Sequence, residues 1–282
     1  MSNNKVLILG ADGMLGNAIF KYLKLQALDI YGTSRKQESN FVFFDVHNFS
    51  EINFSALIKN IKPNYIINCI GYIRPKNDSV LELNKSLFIN SLFPQNLSIF
   101  CLNNNIKLIH FSTDCIFNGK NAPYQENAQS DEVGIYGVSK FLGEVRQLPN
   151  ITIRTSLIGH ELESNRNLIN WFLNNKDKEV DGFSEVYWNG ISTLTAAKII
   201  FKIINNKLQF NKPIIQLASN TVSKYDLLNI LKKVYRKDIV INSVSSLVAN
   251  KTLVQSSEQE TLFNGMINDL EQQIFDLKKF YE

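Results

Sequence analysis

The stretch Gly10-Ala11-Asp12-Gly13-Met14-Leu15-Gly16 constrains this chain more than any other, because it stands between a short apolar run and an amphipathic one. Lys5-Val6-Leu7-Ile8-Leu9 lacks polar alternation, as expected of a parallel strand covered on both faces. Asn17 to Leu25 place Ala18, Ile19, Tyr22, Leu23 and Leu25 on or near one helical stripe, and Asp29-Ile30-Tyr31-Gly32-Thr33 reads as a second strand. A βαβ unit therefore opens the chain. At a strand-to-helix turn, glycines permit the tight bend, let backbone approach a pyrophosphate and seat the helix close to the strand, while the helix start offers N–H donors. The expectation is a dinucleotide held by Gly10, Gly13, Met14, Leu15 and Gly16; an ordinary glycine-rich turn is the plain alternative.

Strand candidates at Phe41–Phe44, Tyr65–Ile70, Ile106–Phe111 and Ile151–Arg154 alternate with helical stretches at Glu51–Asn60, Ser79–Asn104 and Ile135–Gln147. Parallel neighbours need crossover helices, and right-handed crossovers cover both faces, so the pattern predicts an α/β, Rossmann-type doubly wound parallel sheet with ligand at the strand carboxyl ends. Residues 1–155 are expected to form this NAD(P)-binding domain. Residues 156–282 read as mainly a smaller C-terminal substrate-binding lobe, with some strands returning to the first domain. Helical patterns there cover Asn167–Asn174, Thr193–Ile204 and Lys224–Tyr235, Lys212–Leu217 reads as extended, and an amphipathic tail starts at Gln255.

Composition narrows the classes. A chain of 282 residues, 44% hydrophobic, carries enough apolar side chain for a large core and is no mini-protein. Its 30 Lys+Arg against 26 Asp+Glu give +4, spread along the chain, so no nucleic-acid partner is expected. Nowhere do about 18 apolar residues run together, and Met1 to Gly10 lack a signal-peptide pattern; no membrane insertion and a soluble, cytoplasmic protein are expected. Cys69, Cys101 and Cys115 each lie in an apolar stretch and read as reduced, buried thiols. His47, His110 and His160 have no ligand spacing, so no protein-bound metal is expected.

Beyond the second strand the sequence reads Thr33-Ser34-Arg35-Lys36, with no acid where a ribose 2′-hydroxyl is often read. Ser34 and Arg35 suit a 2′-phosphate, which favours NADPH with NADH admitted; a solvated charged loop is the alternative. Asp45 either accepts from the adenine amino group or caps Asn48–Asn53. Tyr136-Gly137-Val138-Ser139-Lys140 puts a phenol and an ammonium on one helix face, where the cation favours phenolate and improves a proton carrier. Thr113 follows the Ile106–Phe111 strand and brings a hydroxyl to the same edge. A helix cap at Thr113 and an ordinary amphipathic face at Tyr136 and Lys140 are the competing readings.

The ordered set Gly10-x-x-Gly13-x-x-Gly16, Ser112-Thr113-Asp114 and Tyr136-x-x-x-Lys140 resembles the extended short-chain dehydrogenase/reductase superfamily. Asn68-Cys69-Ile70-Gly71, Ile89–Pro94, Ser112–Gly119, Tyr136–Glu144, Arg154-Thr155-Ser156 and Trp188–Thr193 are similar to the dTDP-4-dehydrorhamnose reductase family, from Lys5 to about Leu228. That resemblance implies NADPH-dependent reduction of the 4-keto group of a nucleotide-activated 6-deoxysugar, in cell-surface polysaccharide or O-antigen biosynthesis, with a nucleotide sugar as the partner and a homodimer admitted. It further implies that Tyr136 donates the proton, Lys140 lowers the phenol's pKa and holds the nicotinamide ribose, and Thr113 hydrogen-bonds the carbonyl oxygen.

By the same resemblance Val46 and the backbone of Cys69, Ile70 and Gly71 line the cofactor. Asn90 braces the site, and Tyr72, Arg74, Asp114, Trp188 and Asn189 face the substrate; Lys76 and His160 also stand as candidates, against surface charge or core packing. Ile73-Arg74-Pro75 and Cys115 depart from the family's common residues, which leaves the sugar open. Two other readings keep the fold: a nucleotide-sugar epimerase or dehydratase, and a non-catalytic subunit resembling the regulatory subunit of methionine adenosyltransferase.

Overall fold

The unalternating apolar runs become central strands because successive residues enter two different cores. In the computed structural model, which describes residues 4–37, 40–73, 79–162 and 167–282, one sheet holds seven strands. They are β1 (Lys5–Leu9), β2 (Asp29–Ser34), β3 (Val42–Phe43), β4 (Tyr65–Asn68), β5 (Lys107–Ser112), β6 (Ile151–Arg154) and the strand Ile214–Gln216. Their order across the sheet is Ile214–Gln216, β6, β5, β4, β1, β2, β3, all parallel. Val6, Ile8, Ile67, Ile109 and Ile153 enter one core, whereas Leu7, Leu9, Ile66 and Leu108 enter the other. The chain builds outward from β1 to β3 and then returns to place β4 on the other side of β1, so the strand order reverses there; ligands of open α/β sheets bind outside the carboxyl ends at such a point.

Helices α1 (Met14–Lys24), α2 (Glu51–Ile61), α3 (Val80–Leu87), α4 (Phe93–Asn103) and α5 (Ile135–Leu142) belong to the sheet's first six strands. The stretch expected as one helix from Ser79 is α3 and α4 joined through a π-helical turn, Phe88–Leu92. Further along come α6 (Leu168–Asn174), α7 (Thr193–Asn205), α8 (Lys224–Tyr235), α9 (Ser257–Leu262) and α10 (Leu270–Tyr281). Ile169, Phe172, Leu227, Leu231, Ile274 and Leu277 of α6, α8 and α10 form a separate core, while Ile199, Ile200 and Ile203 of α7 join α1's side of the sheet. No helix of the described residues is long and apolar enough to cross a membrane.

Setting aside α4, which continues from the π-helical turn with no side-chain cap bond, helix starts divide into two kinds. Ser50, Ser79, Asn167, Ser192, Ser223, Ser256 and Asp269 each accept a backbone N–H at the head of their helix, which satisfies one of its orphan donors. Helices α1 and α5 begin instead at Gly13 and Gly134, with no side-chain cap bond. Those two helices carry the glycine loop and the Tyr136/Lys140 pair.

Candidate active site at the carboxyl edge of the sheet

The glycine loop is fixed by backbone. Gly10 has φ +77°, a left-handed conformation that suits glycine. Its N–H donates to the Thr33 hydroxyl at 3.2 Å and that of Ala11 to the Thr33 carbonyl at 2.8 Å, which ties the loop to the end of β2. A Cβ on Gly16 would lie 2.1 Å from the Gly10 carbonyl oxygen, so only glycine lets α1 start this close to the turn. The uncapped start of α1 leaves N–H donors directed out of this cradle, and a dinucleotide pyrophosphate fits it. Leu15 and Val46 are buried in the two cores, so their side chains are structural. Met14 is half-buried and its sulfur receives the Asn167 amide at 3.7 Å. Past β4, the Cys69 N–H donates to the Leu9 carbonyl at 3.0 Å, Ile70 packs against Gly10, and Gly71 is exposed.

At the end of β2, Arg35 is exposed and Ser34 is buried. Asp45 caps the short turn Val46–Asn48, accepting the His47 N–H at 2.9 Å, whereas α2 is capped by Ser50; the cap expected at Asn48–Asn53 thus divides between two residues. The missing acid is in the glycine loop itself: the Ser34 hydroxyl donates to the Asp12 carboxylate at 2.8 Å.

The second half of the site is made of side chains. Thr113 follows β5 and accepts the Cys115 N–H at 3.1 Å, while its hydroxyl donates to Asp114 at 3.0 Å. The Thr113 hydroxyl also lies near enough to the Tyr136 phenol to favour its ionised form. Burial first, and then the charge of Cys115, push the phenol above its ordinary range, against that influence. Lys140 is buried and donates to the Phe111 carbonyl at 2.6 Å. Desolvation lowers its pKa to about 8, against the opposing charges of Glu144 and Cys69. The resemblance implied that Lys140 lowers the phenol; here burial governs Tyr136, and the ammonium is engaged by a strand carbonyl.

Beneath this cluster lies a polar support centred on Asn90, the residue expected to brace the site. Asn90, in the π-helical turn, accepts the Tyr72 N–H at 2.8 Å and donates to the Tyr72 carbonyl at 2.9 Å and to Ser139 at 3.0 Å. It braces the loop after β4 against α5 from a buried position. A Cβ on Gly143 would fall 1.7 Å from the Asn90 carbonyl oxygen, so glycine ends α5 where the π-turn presses on it, short of the expected Gln147. One turn away the buried Glu144 carboxylate takes Arg154 in a fork, at 2.9 and 3.0 Å, together with the Ser112 hydroxyl at 2.9 Å. Arg154 donates its remaining fork to Gln216 at 2.8 Å, linking α5, β5, β6 and the last sheet strand.

Residues from later in the chain bring further side chains towards Asp114 and Cys115. Trp188 is buried, with its indole N–H on the Ser156 hydroxyl at 2.7 Å and the Lys224 ammonium over its ring at 5.1 Å. The Asn189 side chain is committed to the backbone of Leu253, donating at 2.8 Å and accepting at 3.1 Å. Two lysines that sequence reasoning missed stand near Asp114 and Cys115. Burial lowers Lys224, with Asp114 and Cys115 opposing; Lys251 is also desolvated, but its 2.9 Å bond to Glu132 raises it overall. No spacing rule links these lysines to Thr113. His160 meets the Tyr235 hydroxyl at 2.7 Å, and the Tyr72 hydroxyl donates to Glu82. Arg74 and Lys76 lie outside the described residues.

Of the cysteines only Cys101 is buried. Cys69 and Cys115 are half-buried, contrary to expectation, because each follows a strand at the edge where the site opens; desolvation still raises both thiols, Cys115 to about 12. Among the described residues no cluster of three or more His, Cys, Asp or Glu could hold a metal ion.

Residues 4–252 match the family described as RmlD substrate binding domain. The methionine adenosyltransferase 2 subunit beta of Danio rerio is 29% identical over 163 residues, 56% of this chain and 49% of that protein. The dTDP-4-dehydrorhamnose reductase of Aggregatibacter actinomycetemcomitans is 31% identical over 163 residues, 54% of this chain and 51% of that protein. The matched stretches thus span about half the length of these curated relatives. The crystal structure of dTDP-4-dehydrorhamnose reductase from Bacillus anthracis in complex with NADP is 20% identical, covers 99% of this chain and 100% of its own, and superposes with a TM-score of 0.81, which establishes a common fold.

Proposed function

The chain belongs to the RmlD substrate binding domain family, and from that premise we propose that it is an NADPH-dependent reductase, with NADH admitted, of the 4-keto group of a nucleotide-activated 6-deoxysugar. Surface-polysaccharide assembly is the setting this reading gives it. The observation that carries the reading is that the Thr113 hydroxyl and the Tyr136 phenol interact at the carboxyl edge, on the strand neighbouring the one that faces the glycine loop, while Lys140, one turn on from Tyr136 along α5, donates to the Phe111 carbonyl of that same strand.

In this reading the glycine loop and the start of α1 hold the pyrophosphate, and Lys140 uses the N–H groups left over from Phe111 to hold the nicotinamide ribose. When bound, the dinucleotide supplies the hydride. A phenol raised by burial stays protonated at neutral pH, so Tyr136 is the acid that delivers a proton to the developing alkoxide. Thr113 turns its hydroxyl from Asp114 to the same oxygen and stabilises the charge that builds there. Asn90 acts through Tyr72 and Ser139 and is a positioning residue. Lys224, beside Trp188, gives the lobe a cation facing an anionic substrate.

A second reading is favoured by the zebrafish relative, a subunit by its name: a dinucleotide-binding protein that works through a partner. NADPH absorbance followed with a panel of dTDP-, UDP- and GDP-linked 4-keto-6-deoxysugars, beside Tyr136→Phe, separates the readings. Consumption with one sugar, lost in the variant, supports the reductase. Tight NADPH binding with no consumption overturns it in favour of the partner protein, or of an epimerase or dehydratase if the sugar is converted without net oxidation.

A further inference from the structure

Sequence placed no acid at the end of β2, yet the structure brings one there from the glycine loop. Because Gly10 and Ala11 are tied to Thr33, residue 12 is held beside residue 34, and the Ser34 hydroxyl donates its single proton to the Asp12 carboxylate at 2.8 Å. The Ser34 oxygen in turn accepts the Lys36 N–H at 3.0 Å. Ser34 therefore offers no free donor to a phosphate while Asp12 is in place. The strip between a glycine loop and the end of the second strand is where the adenosine ribose lies in this fold. A carboxylate there accepts from a ribose hydroxyl and repels a phosphate, whereas the exposed Arg35 next to it attracts one.

Resting on the reading of the glycine loop as a dinucleotide site, we infer that Asp12 is a selectivity residue. Its carboxylate takes the 2′-hydroxyl of an unphosphorylated dinucleotide and counters the attraction of Arg35 for a 2′-phosphate, so the chain accepts NADH and NADPH with similar affinity. Asp12 is half-buried with one side-chain bond to Ser34, so its replacement leaves the loop's backbone ties to Thr33 in place.

Calorimetric titration of the full chain with ADP-ribose and 2′-phospho-ADP-ribose tests this without any redox turnover. The wild type is expected to bind the two within about tenfold of each other, and Asp12→Asn to shift the ratio about fivefold or more toward the phosphorylated ligand, near the size of one charge-assisted hydrogen bond. Asp12→Ser, checked by its melting temperature, should shift the ratio in the same direction. A smaller shift in both variants, or one toward ADP-ribose, overturns the inference while leaving the dinucleotide site standing. Failure of the wild type to bind either ligand overturns the site and the inference together.

Discussion

The two halves of the site are built from different materials. On the β1–β2 side the positions are set by backbone: a left-handed Gly10, a close approach at Gly16, and an uncapped helix start. On the β5–α5 side they are set by side chains: Lys140 is bonded to Phe111, and the elements that carry the cluster are tied together by the Asn90–Ser139 and Ser112–Glu144 bonds. A backbone cradle tolerates most substitutions except where a Cβ has no room. A side-chain cluster is only as well placed as the polar groups beneath it, and those act far from the ligand.

The largest effect that would sharpen this contrast is expected at Glu144. Glu144→Ala leaves the buried Arg154 guanidinium uncompensated, and the chain should lose about 3–5 kcal/mol in chemical denaturation. A loss below about 1 kcal/mol would mean that the cluster does not depend on that pair. Next, Tyr136→Phe should lower turnover at least ~10²-fold with dinucleotide affinity nearly unchanged; parallel losses would blur the division between the halves. Gly16→Ala should cost about 1–3 kcal/mol and weaken dinucleotide binding. Gly13→Ala should cost less, because its Cβ would stand 3.4 Å from the Gly10 carbonyl oxygen. If both variants bind equally well, the cradle is not a close-approach device. Arg35→Ala should weaken the 2′-phosphorylated ligand about tenfold and its counterpart little, by competition titration.

The faintest test is a pH trend. Lys140 lies near 8 in the folded chain against an ordinary 10.5. Below about 8 it is protonated both folded and unfolded, and the burial penalty is present in full. Between those values the unfolded chain holds the proton and the folded chain does not, so stability from this group rises with pH across the window. Denaturation curves of wild type and Lys140→Met should diverge over that range, the variant lacking the rise; parallel curves would place the ammonium in a more solvated site.

The same contrast explains what could be seen from the sequence. Glycines advertise a backbone need wherever they stand, and Tyr136 and Lys140 share a helix face, so both halves leave a local trace. Asp12 and Ser139 occupy the unspecified positions of their own motifs, and their partners Ser34 and Asn90 lie on other elements. Glu144 and Arg154 stand ten residues apart with no shared motif, and they meet because β6 runs beside β5, above which α5 ends. Strand and helix identities were set by patterning, but the membership of Ile214–Gln216 in the main sheet is a long-range pairing with no local signature. The π-helical turn at Phe88–Leu92 was invisible for a related reason: it forms where α5 presses on a helix whose own residues suit an unbroken one.

That returning strand has a consequence for how the molecule comes into being on the ribosome. When residues up to Arg154 have emerged, β6 still has a bare edge, and its N–H and C=O groups must wait for Ile214–Gln216 to be synthesised. Until then the nascent sheet is an incomplete template open to pairing with a neighbouring polypeptide, and closing it requires contacts between residues far apart in translation order.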